Sequence, residues 1–240
     1  MCRGMIQVAI LAGGLATRLR PLTEETPKSM VMIQGRPFLE YQLDFLRKCK
    51  VTSVVLCIGY LAEQIENYFG DGRKFGMNIT YSYEGKQLLG TAGALKKAEK
   101  LLEDPFFTMY GDSYLSLDFA DAMSFFKSQN KLALMSVYKN CDRYERSNTV
   151  IEGGLVKKFS KKGKTEGMVY IEYGANIFRK AALELIPEGL PYSLEELFPE
   201  LIRRKELLAY EVGERFYQIG SPEGLEEFKR YVRQTGGVTQ

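Results

Sequence analysis

Glycines and cationic side chains lie close together early in the sequence. The apolar run at residues 8–11 leads into Gly13 and Gly14, and Arg18 and Lys28 follow. Glycine lets the backbone approach an anion closely, and successive backbone N–H groups can point at phosphate oxygens, while arginine and lysine add charge. The stretch matches neither a P-loop nor Gly-x-Gly-x-x-Gly. It predicts a polyphosphate-binding loop, and a plain strand-to-helix turn is the alternative.

An acidic residue follows a second strand-like run. Asp112 comes directly after "PFFTMYG", which ends in a loop. In open α/β sheets, ligands bind at the carboxyl ends of the strands, and a carboxylate beside a polyphosphate is a natural Mg²⁺ ligand. Asp112 is therefore a candidate metal ligand. The alternative is that Gly111 and Asp112 form an ordinary turn.

The residue types that are missing restrict the chemistry. The sequence contains no histidine, which excludes Ser-His-Asp and Cys-His nucleophilic sites and most zinc sites. The cysteines form no Cys-x-x-Cys pair, so neither a zinc site nor a disulfide framework is indicated. Any catalysis must use carboxylates, lysines, arginines, backbone amides or a hard metal ion.

Composition indicates an ordinary globular protein, and the absence of a disulfide framework favours a reducing cytoplasm. The 240 residues carry a net charge of +3, are 45% hydrophobic and 26% charged, and this balance gives no reason to expect nucleic acid as a partner. No apolar run approaches the roughly 20 residues of a membrane span. Residues 1–14 are interpreted as a first strand and not as a signal peptide.

The elements that must position these residues follow an α/β pattern. Strand-like runs alternate with amphipathic helices through about residues 1–115, which predicts βαβ units and a parallel sheet. About residues 116–240 are richer in strands, with helices returning near the end. We expect one domain over 1–240, with a nucleotide-binding half followed by a sugar-phosphate-binding half. Near the end, Ser221 and Pro222 predict the start of a helix, and the tail from residue 235 is expected to fray.

Several motifs resemble those of the sugar-1-phosphate nucleotidylyltransferases. They are "ILAGGLATRLRPLTEETPKSM", "RPFLEYQLDFL", "LLGTAGAL", "YGDS" and "YQIGSPEGLEEF", and they span nearly the whole chain in the family's order. The chain is most similar to short members without a β-helix domain, such as heptose- and mannose-1-phosphate guanylyltransferases. The resemblance implies a Rossmann-like three-layer α/β/α fold with a mostly parallel central sheet and a smaller β-rich substrate region.

The resemblance also implies an activity and a set of site residues. A nucleoside triphosphate and a sugar 1-phosphate would give a nucleotide-sugar and pyrophosphate, with Mg²⁺ as cofactor. The residues with implied catalytic roles are Arg18, Lys28 and Asp112. Those implied to bind the nucleotide are Leu11, Ala12, Gly13, Gly14, Thr17, Arg18, Glu84, Gln87, Gly90 and Thr91. Those implied for the sugar phosphate are Lys162, Glu172, Asn176 and Gln218, and the implied metal ligands are Asp112 and Gln218.

The sequence departs from the family's pattern at two positions. Gln218 stands where the family commonly has an aspartate that completes the metal site, and Leu88 stands where many members have proline. Gln218 could still ligate Mg²⁺ with less charge, or contact the sugar phosphate.

Gln218 also motivates an alternative function, a non-catalytic nucleotide-sugar-binding or regulatory domain on the same fold. A glycosyltransferase is less compatible, because "GDSYLSLD" lacks Asp-x-Asp. The β-rich half is compatible with a homodimer. The base and the sugar are left open.

Overall fold

The computed structural model describes residues 6–85 and 87–236. Its strands are β1 (Gln7–Leu11), β2 (Met32–Ile33), β3 (Arg36–Pro37), β4 (Ser53–Ile58), β5 (Asn78–Tyr83), β6 (Phe106–Tyr110), β7 (Ser113–Tyr114), β8 (Ala133–Lys139), β9 (Thr149–Glu152), β10 (Leu155–Phe159), β11 (Tyr170–Phe178), β12 (Leu207–Val212) and β13 (Tyr217–Gln218). Its α-helices are α1 (Phe38–Lys48), α2 (Ala62–Phe69), α3 (Gly90–Ala98), α4 (Phe119–Ser128), α5 (Leu194–Arg203) and α6 (Pro222–Gln234).

Nine strands form one sheet in the order β5-β4-β1-β6-β11-β8-β12-β10-β9. The first four strands of this order are parallel to one another. Leu11, the last residue of β1, pairs with Cys57 of β4 and with Tyr110 of β6. The carboxyl ends of these strands therefore meet at one edge of the sheet. The loop that contains Gly13 and Gly14, called the glycine loop below, and the loop that contains Asp112 both begin at this edge.

Helices cover both faces of the parallel half, which explains why its inner strands β1 and β4 carry continuous apolar runs. Val8 and Ile10 of β1 belong to a core shared with α1, α2 and α4. Ala9, between them, belongs to a second core shared with α3 and α5. Because successive strand residues point to opposite faces, this division gives three layers. The predicted α/β class and Rossmann-like fold are confirmed.

Strand β11 joins the parallel half to the β-rich half. It is antiparallel both to β6 and to β8. Its register on β8 shifts between Glu172 and Asn176, and Gly174 within this irregularity has φ +98°, which favours glycine. The irregular segment lies beside the end of β6, so it turns β11 side chains toward the edge that carries Asp112.

A small antiparallel pair brings the end of the chain to the same edge. Gln218 of β13 pairs with Ser113 of β7. Helix α6 then begins as predicted, with Ser221 Oγ accepting from the backbone N–H of Gly224 at 3.2 Å. Phe228 of α6 packs on Phe38 of α1 with ring centroids 5.1 Å apart, which anchors this segment over the sheet edge.

One expectation has a different outcome, and another lies partly outside the described residues. Among the helices that the sequence predicts near the end, the run at residues 179–186 forms a 3₁₀ helix, Lys180–Leu185, and not an α-helix. Within residues 6–85 and 87–236, no helix is both long and apolar enough to cross a membrane. The expected fraying concerns residues 235–240, of which 237–240 lie outside the described part of the chain.

Candidate active site

The glycine loop follows β1 directly and is held close to its neighbours. The backbone N–H of Ala12 donates to Cys57 O at 2.8 Å, so the loop begins as a continuation of the sheet. A Cβ at Gly13 would collide with the carboxylate of Glu84, whereas nothing lies within 4 Å of one at Gly14. Thr23 Oγ1 donates to Ala16 O at 2.8 Å and braces the far side of the loop. A side chain larger than that of glycine is therefore excluded at Gly13, whereas the space beside Gly14 is open.

Lys28 and Asp112 form an ion pair at the mouth of this loop. Lys28 Nζ lies 2.8 Å from Asp112 Oδ2, and the two side chains are 19% and 26% exposed. Ser113 Oγ also donates to Asp112 Oδ1 at 3.3 Å. The side chain of Ser29 is buried, and its Oγ has no hydrogen-bond partner among the described residues. A cation, a carboxylate and an unpaired hydroxyl therefore lie together at the sheet edge.

The loop that carries Asp112 is fixed from beneath. Gln42 of α1 donates through Nε2 to Tyr110 O at 2.9 Å and to Ser113 O at 2.7 Å. The backbone N–H of Ile219 donates to Asp112 O at 2.9 Å. Because the carbonyls on both sides of Asp112 are held by one buried amide, the position of its carboxylate is set by the fold.

Two pockets meet at Asp112. The first has a volume of about 230 Å³ and lies over the ends of β1 and β6. The second, of about 330 Å³, lies over β11 and the loop after β10. Tyr110 and Asp112 line both pockets, so ligands in the two would meet there. The first pocket is lined by Leu11, Ala12, Gly13, Gly14, Lys28, Ser29, Glu84, Leu88, Gly90, Thr91, Ala94, Tyr110, Gly111 and Asp112.

The second pocket contains both cationic and anionic side chains. Arg18, Arg146 and Lys161 line it together with Glu145 and Glu172. Burial raises the pKa of Glu145, and the charge of Asp112 adds to this rise while Arg18 opposes it. The cationic side chains of this pocket could bind a phosphate. Its carboxylates and the backbone groups of the irregular β11 segment could hydrogen-bond to hydroxyl groups.

Glu172 is the most buried charged group of the second pocket. Its side chain is 2% exposed, and Lys161 Nζ lies 3.8 Å from its Oε2. Asn176 Nδ2 donates to Glu172 Oε1 at 3.0 Å, and Tyr110 OH donates to Oε2 at 3.4 Å. Burial raises the pKa of Tyr110 well above its usual value, and the charge of Glu172 adds to the rise, so this phenol stays neutral and can donate. The four groups form one connected network.

Arg18, Asp112 and Gln218 converge on a single point. A Cβ placed at Gly220 would lie 2.8 Å from Gln218 Oε1, 3.2 Å from Asp112 Oδ2 and 3.4 Å from Arg18 Nη2. Gln218 Oε1 already accepts from the backbone N–H of Gly220, and its Nε2 donates to Ser221 Oγ at 3.4 Å. The structure thus brings the two residues predicted as metal ligands together, with the amide of Gln218 engaged by its neighbours.

Most of the residues predicted for the nucleotide line the first pocket, and Arg18, Glu172 and Gln218 line the second. The structure places four others elsewhere. Thr17 is exposed and lines neither pocket. Gln87 lines a different pocket beyond Glu84. Lys162 is exposed outside the second pocket, whereas its neighbour Lys161 lines it. Asn176 is buried and does not line the pocket, and its side chain donates a hydrogen bond to the carboxylate of Glu172, which does.

Sequence reasoning missed several residues of the site. A signal for Lys161 is present in the sequence, because residues 157–164 form a basic run, but spacing cannot choose between its adjacent lysines. Gln42 lies within the motif "RPFLEYQLDFL" as a polar residue in an apolar helix stripe, which is typical of a buried amide with a positioning role. Ser29 carried no signal beyond its place after Lys28.

The geometry defines a class of protein. A three-layer α/β sheet with a side-chain-poor loop and an acidic residue at its carboxyl edge is typical of nucleotide-binding enzymes. More specifically, the chain belongs to the nucleotidyl transferase family, whose model matches residues 7–235.

Similar proteins extend this finding. The chain is 33% identical over 228 residues to the D-glycero-alpha-D-manno-heptose 1-phosphate guanylyltransferase of Campylobacter jejuni, covering 93% of this chain and 98% of that protein. It is 32% identical over 214 residues to a UTP–glucose-1-phosphate uridylyltransferase of Synechocystis sp., where 82% of this chain spans about half, 55%, of the relative. The crystal structure of HddC from Yersinia pseudotuberculosis superposes with a TM-score of 0.80 at 28% identity, covering 95% and 99% of the two chains.

Proposed function

We propose that the protein is a sugar-1-phosphate nucleotidylyltransferase, which converts a nucleoside triphosphate and a sugar 1-phosphate into a nucleotide-sugar and pyrophosphate. The observation that carries the proposal is that two pockets meet at Asp112. A two-substrate transfer needs two adjoining sites with charge-neutralising groups between them. The names of the two relatives, a uridylyltransferase and a guanylyltransferase, support the reaction class.

The first pocket is assigned to the nucleoside triphosphate. The loop from Gly13 to Arg18 would receive the triphosphate through backbone N–H groups. Lys28 would leave Asp112 and neutralise charge on the α-phosphate, where the reaction takes place. The base would lie toward Glu84 and Gly90, on the side of the outer strands.

The second pocket is assigned to the sugar 1-phosphate. Arg18 and Lys161 are the cations on its wall that would hold the phosphate beside Asp112. A phosphate oxygen of the sugar phosphate attacks the α-phosphorus and forms a new P–O bond. The bond from the α-phosphorus to the bridging oxygen breaks, and pyrophosphate leaves with the electron pair. Because the nucleophile is already an anion, the reaction needs no histidine base.

The donor set at Asp112 fits Mg²⁺ that arrives with the substrate phosphates. Among the described residues, no group of three or more His, Cys, Asp and Glu side chains could hold a metal ion by itself. Mg²⁺ commonly uses one or two carboxylates together with phosphate oxygens and water, and Asp112 with Gln218 could supply the protein's share. When bound, the ion would neutralise charge on the transferring phosphates.

A second candidate function is a nucleotide-sugar-binding domain without catalysis. The hydrogen bonds that engage the Gln218 amide favour it, because they compete with metal ligation. Pyrophosphate release separates the two candidates when nucleoside triphosphates and a panel of sugar 1-phosphates are mixed with the protein and Mg²⁺. Release with at least one pair is the expected result. If no pair reacts while a nucleotide-sugar raises the melting temperature, the binding-domain function replaces the enzyme.

A further inference from the structure

The second pocket has one wall that the core of the protein does not hold in place. Residues 140–147, called the wall loop below, lie between β8 and β9, and Glu145 and Arg146 of this loop line the pocket. Both side chains are exposed, so packing against the core does not fix them. Their positions therefore depend on where the wall loop lies.

The wall loop is stiffened by hydrogen bonds within it. The buried side chain of Asn140 donates through Nδ2 to Glu145 O at 2.6 Å, and its Oδ1 accepts from the backbone N–H of Tyr144 at 3.2 Å. Asp142 Oδ1 accepts from the backbone N–H of Ser147 at 2.8 Å. Local bonds of this kind close a loop on itself. Because the wall loop is stiff, its contacts with other segments decide where its two pocket residues lie.

Arg215 makes such a contact with the wall loop. Its Cζ lies 3.9 Å from the centroid of the Tyr144 ring and 4.3 Å from that of the Tyr217 ring. Its Nη2 lies 3.0 Å from Glu227 Oε2, and the Arg215 side chain is 25% exposed. A planar guanidinium can contact aromatic faces while its edge donates to a carboxylate, and an ammonium group does not reproduce this geometry. Arg215 thus joins three segments through one side chain.

The two other partners of Arg215 belong to segments that are already in place. Tyr217 lies in β13 and stacks on Tyr231 of α6 with ring centroids 4.2 Å apart, and Glu227 is also part of α6. Strand β13 carries Gln218, which lines the second pocket, whereas Arg215 does not line it. Arg215 therefore attaches the wall loop to a fixed part of the site from outside the pocket.

We propose that Arg215 is a positioning residue for the sugar 1-phosphate, because it fastens Tyr144 to β13 and α6 and so holds Glu145 and Arg146 at the second pocket. This inference rests on the proposed function. Without the fastening, the wall loop would occupy the competent position only part of the time. The KM for the sugar 1-phosphate would then rise by the inverse of that fraction. The complex, once formed, has the same wall, so kcat should be kept.

Two substitutions of Arg215 separate position from charge. Arg215→Lys keeps the positive charge and loses the planar fork, whereas Arg215→Met loses both. A positioning role predicts that both variants raise the KM for the sugar 1-phosphate. Tyr144→Leu should do the same, and Tyr144→Phe, which keeps the ring, should behave as the wild type.

Lys164→Met is the matched control, because Lys164 is a cation that pairs with Asp142 of the same wall loop. Both side chains of this pair are exposed, at 40% and 43%, and Lys164 does not line the second pocket. An exposed ion pair contributes little to holding a segment in place. The control should therefore keep the wild-type KM.

The measurement is pyrophosphate release by the full chain with Mg²⁺, using the nucleoside triphosphate and the glucose, mannose or galactose 1-phosphate that the wild type converts fastest. In Arg215→Lys, Arg215→Met and Tyr144→Leu, we expect the KM for the sugar 1-phosphate to rise about five- to thirtyfold, the size of one partly desolvated cation–π contact. The KM for the nucleotide and kcat should stay within about twofold. The double variant Arg215→Lys/Tyr144→Leu should be no worse than the worse single variant.

Four kinetic results would overturn the positioning role. They are an unchanged KM in Arg215→Lys, a rise in Arg215→Met alone, additive effects in the double variant, and a fall in kcat without a rise in KM. A rise in Arg215→Met alone would mean that only the charge of Arg215 acts on the phosphate. If the Arg215 variants do not fold, the KM of Tyr144→Leu against that of Tyr144→Phe decides by the same criterion.

Failure of the proposed function gives a different result. If the wild type releases no pyrophosphate with any pair, the enzyme function is overturned, and calorimetric titration with UDP-glucose and GDP-mannose then tests Arg215. Weaker binding in Arg215→Lys than in Lys164→Met would support the positioning role, and equal binding would overturn it. If the wild type binds neither nucleotide-sugar, both proposals are overturned.

Discussion

Replacing Lys28 with alanine should cost far more activity than stability. In the structure, Lys28 Nζ lies 2.8 Å from Asp112 Oδ2, and neither side chain is fully exposed. A partly solvated ion pair of this kind contributes about 1 kcal/mol of net stability. For a chain of this length, that loss lowers the melting temperature by roughly 2–4 °C.

The expected effect of Lys28→Ala on the rate is larger, because the cation is proposed to stabilise charge on the α-phosphate during transfer. Removing one such preorganised group typically lowers kcat by about 10²–10³, or about 2.7–4 kcal/mol of transition-state stabilisation. The effect should fall mainly on kcat, since the backbone N–H groups of the glycine loop would still receive the triphosphate.

The assay is pyrophosphate release at saturating Mg²⁺, combined with thermal unfolding of the same samples. Lys157→Ala is the matched control, because Lys157 is an exposed lysine of β10 outside both pockets. The control should keep the wild-type rate. A Lys28→Ala variant whose rate stays within about threefold of the wild type, with its melting temperature reduced as expected, would refute the catalytic role and leave only an ion pair.

Four further predictions follow from the same geometry. Asp112→Asn keeps the shape but loses the charge, and we expect pyrophosphate release to fall at least about 100-fold. Gln218→Asp adds a carboxylate beside Asp112, so the midpoint of an Mg²⁺ titration of activity should fall. Lys161→Ala should raise KM for the sugar 1-phosphate more than Lys162→Ala does, because only Lys161 lines the second pocket. Glu84→Gln should raise the melting temperature at pH 7, with a gain that shrinks as the pH is lowered.

The sign of the pH effect follows from the raised pKa of Glu84 in the folded protein, which burial causes. Between the unfolded value of 4.5 and the folded pKa, the folded state binds more protons, so wild-type stability falls as the pH rises through this window. Cys57, the titratable neighbour, does not contribute there, because burial raises its pKa to about 12. Because glutamine is uncharged, the Glu84→Gln variant does not carry this desolvation cost in the folded state.

Each of these predictions has a contradicting result. A Glu84→Gln melting difference that is constant from pH 7 to pH 4.5 would mean that the Glu84 carboxylate carries no desolvation cost in the folded state. Identical Mg²⁺ titrations would remove Gln218 from the metal's surroundings. Full activity of Asp112→Asn would contradict a role for its charge. A larger KM effect at Lys162 than at Lys161 would return the sugar phosphate to the residue that the family resemblance implied.

The first pocket was predictable from the sequence, because the residues that line it lie at the carboxyl ends of parallel strands. Buried parallel strands read as continuous apolar runs, and the residue after each run lies at one edge of the sheet. That rule alone places Gly13 and Asp112 near each other, and the structure agrees. The convergence of Gln218 on the same point needed the family resemblance, since no local pattern pairs β13 with β7.

The second pocket was less predictable from the sequence, because its lining depends on strand registers and loop conformations that no local sequence pattern specifies. Adjacent residues such as Lys161 and Lys162 point in different directions, and the loop after β10 decides which one faces the pocket. The irregularity around Gly174 likewise changes which side chains of β11 are presented, so that Glu172 lines the pocket and Asn176 supports it from behind. Tertiary pairing, and not spacing, sets both outcomes.

The central claim is that the glycine loop and Lys28 hold the triphosphate. The most direct measurement is a crystal structure with a non-hydrolysable nucleoside triphosphate and Mg²⁺. We expect phosphate oxygens within about 2.7–3.2 Å of backbone N–H groups between Gly13 and Arg18, and Lys28 Nζ on a phosphate and no longer on Asp112. A triphosphate bound elsewhere, for example beside the exposed lysines Lys97 and Lys100 of the neighbouring pocket, with Lys28 still paired to Asp112, would contradict the account.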